Sequence, residues 1–350
     1  MPKPKILYAI QGTGNGHIAR AIELIPVLKE FAQIDIFLSG TQYNLALPEK
    51  PKFVSKGYSF FYSNLGSIDL RKTFLKNSLK KLIRDIYSLP VKNYDLVLSD
   101  FECISALAAK LRNVPCVNMS HQAAFKYKET PRITPKNPLG EFLLKNFAPA
   151  DKYFGFHFRQ YHPSIYYPIV SNEIRTALPD ISNHFTVYLP AYSAHLIAEK
   201  LRRYDHVDWH LFSSGIKTYV KTGNLHFFPV RRIEFINSLI DSRGIITGGG
   251  FETPAETMYL GKKIISIPIK RQYEQQCNAE ALNRLGYPVF QDFIQIGDIF
   301  MDEWIASDDL IPYHFEDQRE AIVMDLIQFI STSGKCILGS FDYKNFGLQI

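Results

Sequence analysis

Two glycine-rich turns, each running into a helix, carry the side chains of this 350-residue chain best suited to chemistry. The richer lies within Ile245–Leu285 and reads as strand, glycine turn, short helix, strand, loop, helix. Gly248, Gly249 and Gly250 let the backbone turn sharply and approach a ligand closely. Thr253 and Pro254 then begin a helix, with proline at the first position, where its missing N–H costs nothing. The open N–H groups of that turn make an anion site of the kind that holds phosphate. Glu256 follows one turn later and Gly261 closes the helix. Thr253 to Glu256 is equally a capping box, in which the glutamate would reach back to the cap. After a buried-type strand, Ile264–Ile269, comes a polar cluster on a loop, Arg271 to Gln276. An anion site, a lone carboxylate and a cluster of hydroxyl-binding groups together suit a nucleotide that carries a sugar. Glu274, Gln275 and Gln276 can instead be a solvated first helical turn, and Asn278 a packing residue at the helix start. Ser193, just after the strand Phe185–Leu189, is a further phosphate candidate.

The other turn, Gln11-Gly12-Thr13-Gly14-Asn15-Gly16-His17, links the first strand to the first helix. A dinucleotide fingerprint would need a third glycine where His17 stands and an acid ending the second strand, which closes in Leu38-Ser39-Gly40. His17 fits better as a base: it stands at a helix N-terminus, where the dipole favours the neutral ring. A hydroxyl that attacks a sugar needs such a base beside it. Asp100 emerges at the end of the strand through Leu96–Leu98, either to orient that histidine or to cap the next helix. Glu102 and the His121-Gln122 pair are candidates for the wall facing an acceptor.

These residues need elements to hold them. Apolar strand-like runs at Ile6–Ile10, Ile34–Leu38, Leu96–Leu98 and Cys116–Met119 alternate with helical segments at Ile18–Phe31 and Cys103–Leu111. The alternation restarts at Phe185–Leu189, Trp209–Phe212, Ile245–Thr247 and Ile264–Ile269. It predicts an α/β chain of two doubly wound, Rossmann-like domains facing across a cleft. The boundaries expected are 1–170, 171–330 and a tail, 331–350, packing back on the first domain. Tyr153–Ser182, aromatic-rich and without period, contains the crossing, and Gln318–Ile330 reads as an amphipathic helix. Hydrophobic content of 46% and charged content of 21% are those of a globular protein. No apolar run approaches a membrane span or a secretion signal, so the cytoplasm is the expected location. Cys103, Cys116, Cys277 and Cys336 form no metal-type pairs, and no metal site is expected.

The stretch from Ile245 resembles the donor half of GT-B glycosyltransferases, in particular the MurG-type N-acetylglucosaminyltransferases and their uncharacterised relatives. The resemblance implies two facing domains and transfer of a sugar from a nucleoside-diphosphate sugar, UDP-linked, to a hydroxyl with inversion. No cofactor beyond that co-substrate is implied. It carries Thr253 and the turn residues Gly249 and Gly250 to the phosphates, Glu256 to the ribose, and Glu274 with Gln275 to the sugar; Asn278-Ala279 matches the Asn-Ala that follows. On the opposite wall it carries His17 to the base and Asp100 to its partner, with Gly14 and Gly16 facing the donor. The first loop departs from the MurG pattern, so the peptidoglycan acceptor does not carry over; a lipid-linked, glycan or small-molecule acceptor in envelope or glycolipid synthesis remains.

Lys72, Lys76, Lys80 and Arg84 recur every four residues beside an apolar stripe, a face suited either to an anionic membrane or to solvent. No motif or basic run supports nucleic-acid binding. Two other functions share the expected architecture: an epimerase of UDP-N-acetylhexosamine, acting on the donor alone, and a non-catalytic nucleotide-sugar-binding subunit.

Overall fold

Runs of consecutive apolar residues, bounded by glycine turns, have no polar face to offer solvent, so they form strands covered on both sides. The computed structural model, which describes residues 3–41, 43, 45–58, 78–308, 313 and 315–333, builds two such sheets. The first holds β1 (Lys5–Gln11), β2 (Gln33–Ser39), β3 (Phe53–Ser55), β4 (Leu96–Asp100), β5 (Cys116–Ser120), β6 (Lys152–Phe156) and β7 (Ile165–Tyr166). Every pairing is parallel, in the order β3-β2-β1-β4-β5-β6-β7. Among its helices are α1 (Asn15–Phe31), α2 (Leu79–Ser88), α3 (Cys103–Arg112) and α4 (Pro138–Asn146). Chain direction across the sheet reverses between β1 and β4, with Ile10 level with Asp100, and this is where such sheets take ligands.

A short helix, α5 (Asn172–Arg175), leads into the second sheet. Its strands are β8 (His184–Tyr188), β9 (Asp208–Phe212), β10 (Val220–Thr222), β11 (Leu225–Phe228), β12 (Gly244–Thr247) and β13 (Lys263–Ser266). The order is β10-β11-β9-β8-β12-β13, parallel except for the β10–β11 hairpin. Around it lie α6 (Ala194–Leu201), α7 (Arg232–Asp241), α8 (Glu252–Tyr259), α9 (Tyr273–Arg284) and α10 (Asp298–Ala306). Here the reversal falls between β8 and β12, where Tyr188 pairs with Thr247. The carboxyl ends at both reversals line one cavity.

The last described helix, α11 (Arg319–Thr332), differs from expectation in its partner. Ile322, Val323, Leu326, Ile327 and Ile330 pack in the same cluster as Ile18, Leu24 and Leu28 of α1. The Arg319 guanidinium donates to Glu23 at 3.2 Å, and the Gln318 amide oxygen accepts from the backbone of Tyr167 at 2.9 Å. The chain thus returns to the first domain before Arg319, because this apolar stripe completes the cover over α1; the tail beyond Ser333 lies outside the described residues. Of the basic stripe, Lys72 and Lys76 also lie outside them, while Lys80 and Arg84 sit on α2, where no residue is buried. Leu79, Ile83 and Tyr87 are exposed beside them. No described helix is long and apolar enough to cross a membrane.

Candidate active site

The first glycine loop opens α1 with Gly14 at φ +145°, a conformation closed to most side chains. A Cβ on Gly16 would stand 2.8 Å from Glu252 Cγ, so glycine here lets the second domain press against the first helical turn. His17, on that turn, holds Nδ1 2.7 Å from Asp100 Oδ1. A carboxylate can only accept, so Nδ1 carries the proton and Nε2 is the basic nitrogen. Asp100 is fully buried and His17 lines the cavity. Asp100 therefore does not cap α3. That role belongs to Glu102, whose carboxylate accepts from the backbone N–H groups of Ile104 at 2.9 Å and Ser105 at 2.6 Å. Buried with both oxygens engaged, Glu102 cannot serve the acceptor wall as expected. Phe101 between the two acids has φ +54°, a turn tight enough to separate their directions.

One turn after His17, Arg20 lies on the same face of α1 and is 2% exposed. Its Nη1 donates to both Asp100 oxygens, at 2.7 and 2.8 Å, and Nη2 donates to Glu252 Oε1 at 2.5 Å. The guanidinium sits 5.0 Å from the Phe156 ring centroid. Burial works against its charge, but Asp100 and Glu252 outweigh that, and its pKa is raised. Burial also raises Glu252, with Arg20 pulling the other way. The Tyr8 hydroxyl is pushed well above its ordinary range by burial and by Asp100. With His17 neutral, Asp100, Arg20 and Glu252 leave this group one net negative charge; a proton on His17 balances it. Sequence reasoning missed Arg20 and Glu252. The signal for Arg20 was an arginine within an apolar helical stripe.

The opposite wall is the second glycine turn. A Cβ on Gly249 would meet the Gln275 carbonyl at 2.5 Å, whereas Gly250 faces open space. Helix α8 begins at Glu252, ahead of the expected start, and its N-cap Phe251 makes no side-chain cap bond. No capping box forms at Thr253: Glu256 accepts from the Ser171 hydroxyl at 3.1 Å instead. It is 8% exposed and lies outside the cavity lining, and burial pushes its pKa up to about 7. The cluster expected on a loop is in part helical: Gln272 caps α9, and Glu274 and Gln275 stand in its first turn. Glu274 accepts from Gln122 Nε2 at 3.0 Å and is raised by burial. Gln275 Oε1 accepts from Ile269 N–H at 3.1 Å. Ser193 caps α6, accepting from Leu196 N–H at 3.3 Å, and is not among the residues lining the cavity.

His121 is committed to the seam between domains. Nδ1 lies 2.8 Å from the Phe156 carbonyl oxygen and Nε2 lies 2.8 Å from the Asn278 amide oxygen. Its ring stacks on Phe251 with centroids 3.8 Å apart, and burial pulls its pKa down to about 4. Both nitrogens being engaged, it offers an acceptor no free polar atom. Asn278 also donates to the Gly249 carbonyl at 3.1 Å, fixing the turn. Between the walls lies a cavity of about 550 Å³, lined by Gly14, Gly16, His17, Arg20, Gly250, Thr253, Glu274 and Gln275 among others. It joins a histidine–carboxylate pair on one side to a glycine turn and helix N-terminus on the other. Among the described residues no cluster is arranged to hold a metal ion.

Residues 4–306 match the model of glycosyl transferase family 1. No curated protein sequence matches the chain. Among solved structures, MurG of Acinetobacter baumannii is 15% identical with a TM-score of 0.55, over 93% of this chain and 99% of that one. UGT2 of Phytolacca americana, complexed with UDP-2fluoro-glucose and pterostilbene, is 14% identical with a TM-score of 0.51, over 97% and 96%. A UDP-N-acetylglucosamine 2-epimerase is 15% identical with a TM-score of 0.51, over 97% and 100%. At such identities the likeness concerns the fold, two parallel-sheet domains facing across a cleft. Because the family model spans both sheets, the chain belongs to glycosyl transferase family 1, a glycosyltransferase of GT-B fold.

Proposed function

We propose that this glycosyltransferase moves a sugar from a UDP-linked donor to a hydroxyl of its acceptor, inverting the anomeric carbon, with His17 as general base. The observation that carries the reading is the 2.7 Å bond between His17 Nδ1 and Asp100, in the cavity wall opposite the glycine turn. Inversion requires the acceptor oxygen to attack the face opposite the departing diphosphate. The two groups needed are a base on one wall and an anion site on the other. As the new C–O bond forms, the hydroxyl proton passes to His17 Nε2 and the bond to the diphosphate breaks. Asp100 orients the imidazole and steadies its charge. Backbone N–H groups at Gly250 and Thr253, with the helix dipole, stabilise the leaving diphosphate, and no metal is called for. Glu252 shares that helix end, and the bond from Arg20 offsets its charge. Glu274 with Gln275 takes the sugar hydroxyls, and Glu256, bonded to Ser171 just outside the cavity lining, takes the ribose with its other carboxylate oxygen. UDP is favoured because two of the similar structures name UDP-sugars. The work is cytoplasmic, with the exposed face of α2 around Lys80 and Arg84 suited to resting on an anionic membrane.

The test is a thermal-shift panel with UDP, GDP, dTDP and their sugars, followed by turnover of His17→Ala. A stabilising nucleotide and a loss of about 10²- to 10⁴-fold in turnover with donor affinity kept are expected. Unchanged turnover removes His17 from the mechanism. A donor converted to its epimer without any acceptor assigns the chain to epimerase chemistry instead.

A further inference from the structure

The acceptor wall carries polar atoms that the protein leaves without partners. Gln11, 3% exposed at the end of β1, donates through Nε2 to the Tyr58 carbonyl at 3.3 Å. Its Oε1 has no partner among the described residues. Gln122, 8% exposed, donates to Glu274, and its Oε1 is likewise unpartnered. Arg20 Nε is a third such atom, a donor. All three residues line the cavity. A buried polar atom without a partner costs roughly 1–3 kcal/mol, so three beside one opening are a cost a ligand would relieve. Two acceptors and a donor call for groups that both donate and accept, which is what hydroxyls do.

The same cavity has an aromatic corner. Phe101 holds φ +54°, a conformation costly for a bulky residue, and its ring lies 5.1 Å from that of Phe147. Both rings line the cavity, at the tip of the strand that delivers Asp100. Amide oxygens and aromatic rings lining one cavity match a pyranose, whose rim carries hydroxyls and whose face carries C–H groups. A flat apolar acceptor would leave the Gln11 and Gln122 oxygens unsatisfied.

We infer that the acceptor is a carbohydrate, its hydroxyls held by Gln11 and Gln122 and its apolar face set against Phe101 and Phe147. This rests on the transferase reading above, since it fills the acceptor side of that reaction. The experiment is saturation-transfer NMR on the protein mixed with UDP and either methyl glycosides of common hexoses or 1-naphthol. Glycoside signals are expected in the wild type and should fall at least threefold in Gln11→Leu and in Phe101→Gly. The glycine variant also relaxes the backbone, so a folding defect is not its expected cause, and UDP signals report that both variants are folded. Signals from 1-naphthol with none from any glycoside would overturn the inference, as would glycoside signals unchanged in both variants. Absence of UDP signals in the wild type, with glycosides still bound, would count against the nucleotide-sugar reading and leave the carbohydrate site standing.

Discussion

Replacing Glu256 with glutamine tests both the burial of that carboxylate and its proposed contact with the ribose. Burial pushes its pKa from 4.5 up to about 7. Between those values the folded protein keeps a proton that the unfolded chain has released, so stability falls as pH rises through the window. The contribution is complete below the unfolded value and is gone above about pH 7. Two and a half pKa units correspond to roughly 3 kcal/mol. Glutamine cannot ionise. Glu256→Gln should match the wild type near pH 4.5 and exceed it by up to about 3 kcal/mol at pH 8. For a domain of this size that is about 2–4 °C of Tm per kcal/mol. Ligand binding should run the other way. A ribose diol donates to the ionised carboxylate, and about a tenth of Glu256 is ionised one unit below its pKa. The wild type should bind a UDP-sugar roughly tenfold more weakly at pH 6 than at pH 8 and release a proton on binding at the lower pH. The variant should show a flat profile and weaker binding at pH 8, by about 1.5–3 kcal/mol for a lost charged hydrogen bond. Calorimetry in buffers of different ionisation enthalpy reads both quantities. Equal donor affinity in variant and wild type across this range would refute the ribose contact, and parallel Tm profiles would refute the burial argument.

Three further substitutions probe the join between the walls. Arg20→Met leaves Asp100 and Glu252 without their cation; urea unfolding should show a loss of about 3–5 kcal/mol, and a cost below 1 kcal/mol would mean the pair is solvated. Gly16→Ala gains about 1 kcal/mol of helix propensity but sets a Cβ 2.8 Å from Glu252 Cγ, so turnover should fall while Tm changes little; unimpaired turnover would show that the domains need not approach this closely. Asp100→Asn keeps the shape of the dyad but frees the imidazole tautomer, and kcat should drop by about 10²- to 10⁴-fold. Retained activity there would make Asp100 structural.

Much of the frame was legible because its signals are local. Continuous apolar runs of strand length announced two covered parallel sheets, and glycine before a helix marked both turns. Contacts that depend on how distant segments meet were not legible. Asp100 and Glu102 are two acids at one strand end, and only the left-handed turn at Phe101 decides which faces His17. Thr253 to Glu256 has the letters of a capping box, but the helix starts earlier and Ser171, from the interdomain crossing, claims the glutamate. The amphipathic face of α11 was readable, its partner α1 was not, because period identifies a buried face without saying against what. Arg20 and Glu252, 232 residues apart, become neighbours only once the domains are set in place.

That last pair bears on how such a chain can be recombined. Exchanging nucleotide-binding halves between glycosyltransferases treats each domain as a portable unit with the cleft as a neutral seam. Here the seam has a charge: a first half transplanted alone brings a buried cation short of one counter-ion, and a second half brings a carboxylate at a helix end with no cation facing it. The first half also brings a glycine whose missing side chain is shaped to the incoming glutamate. Positions 16, 20 and 252 therefore form a compatibility key, and productive chimeras of this chain should be those that carry all three together.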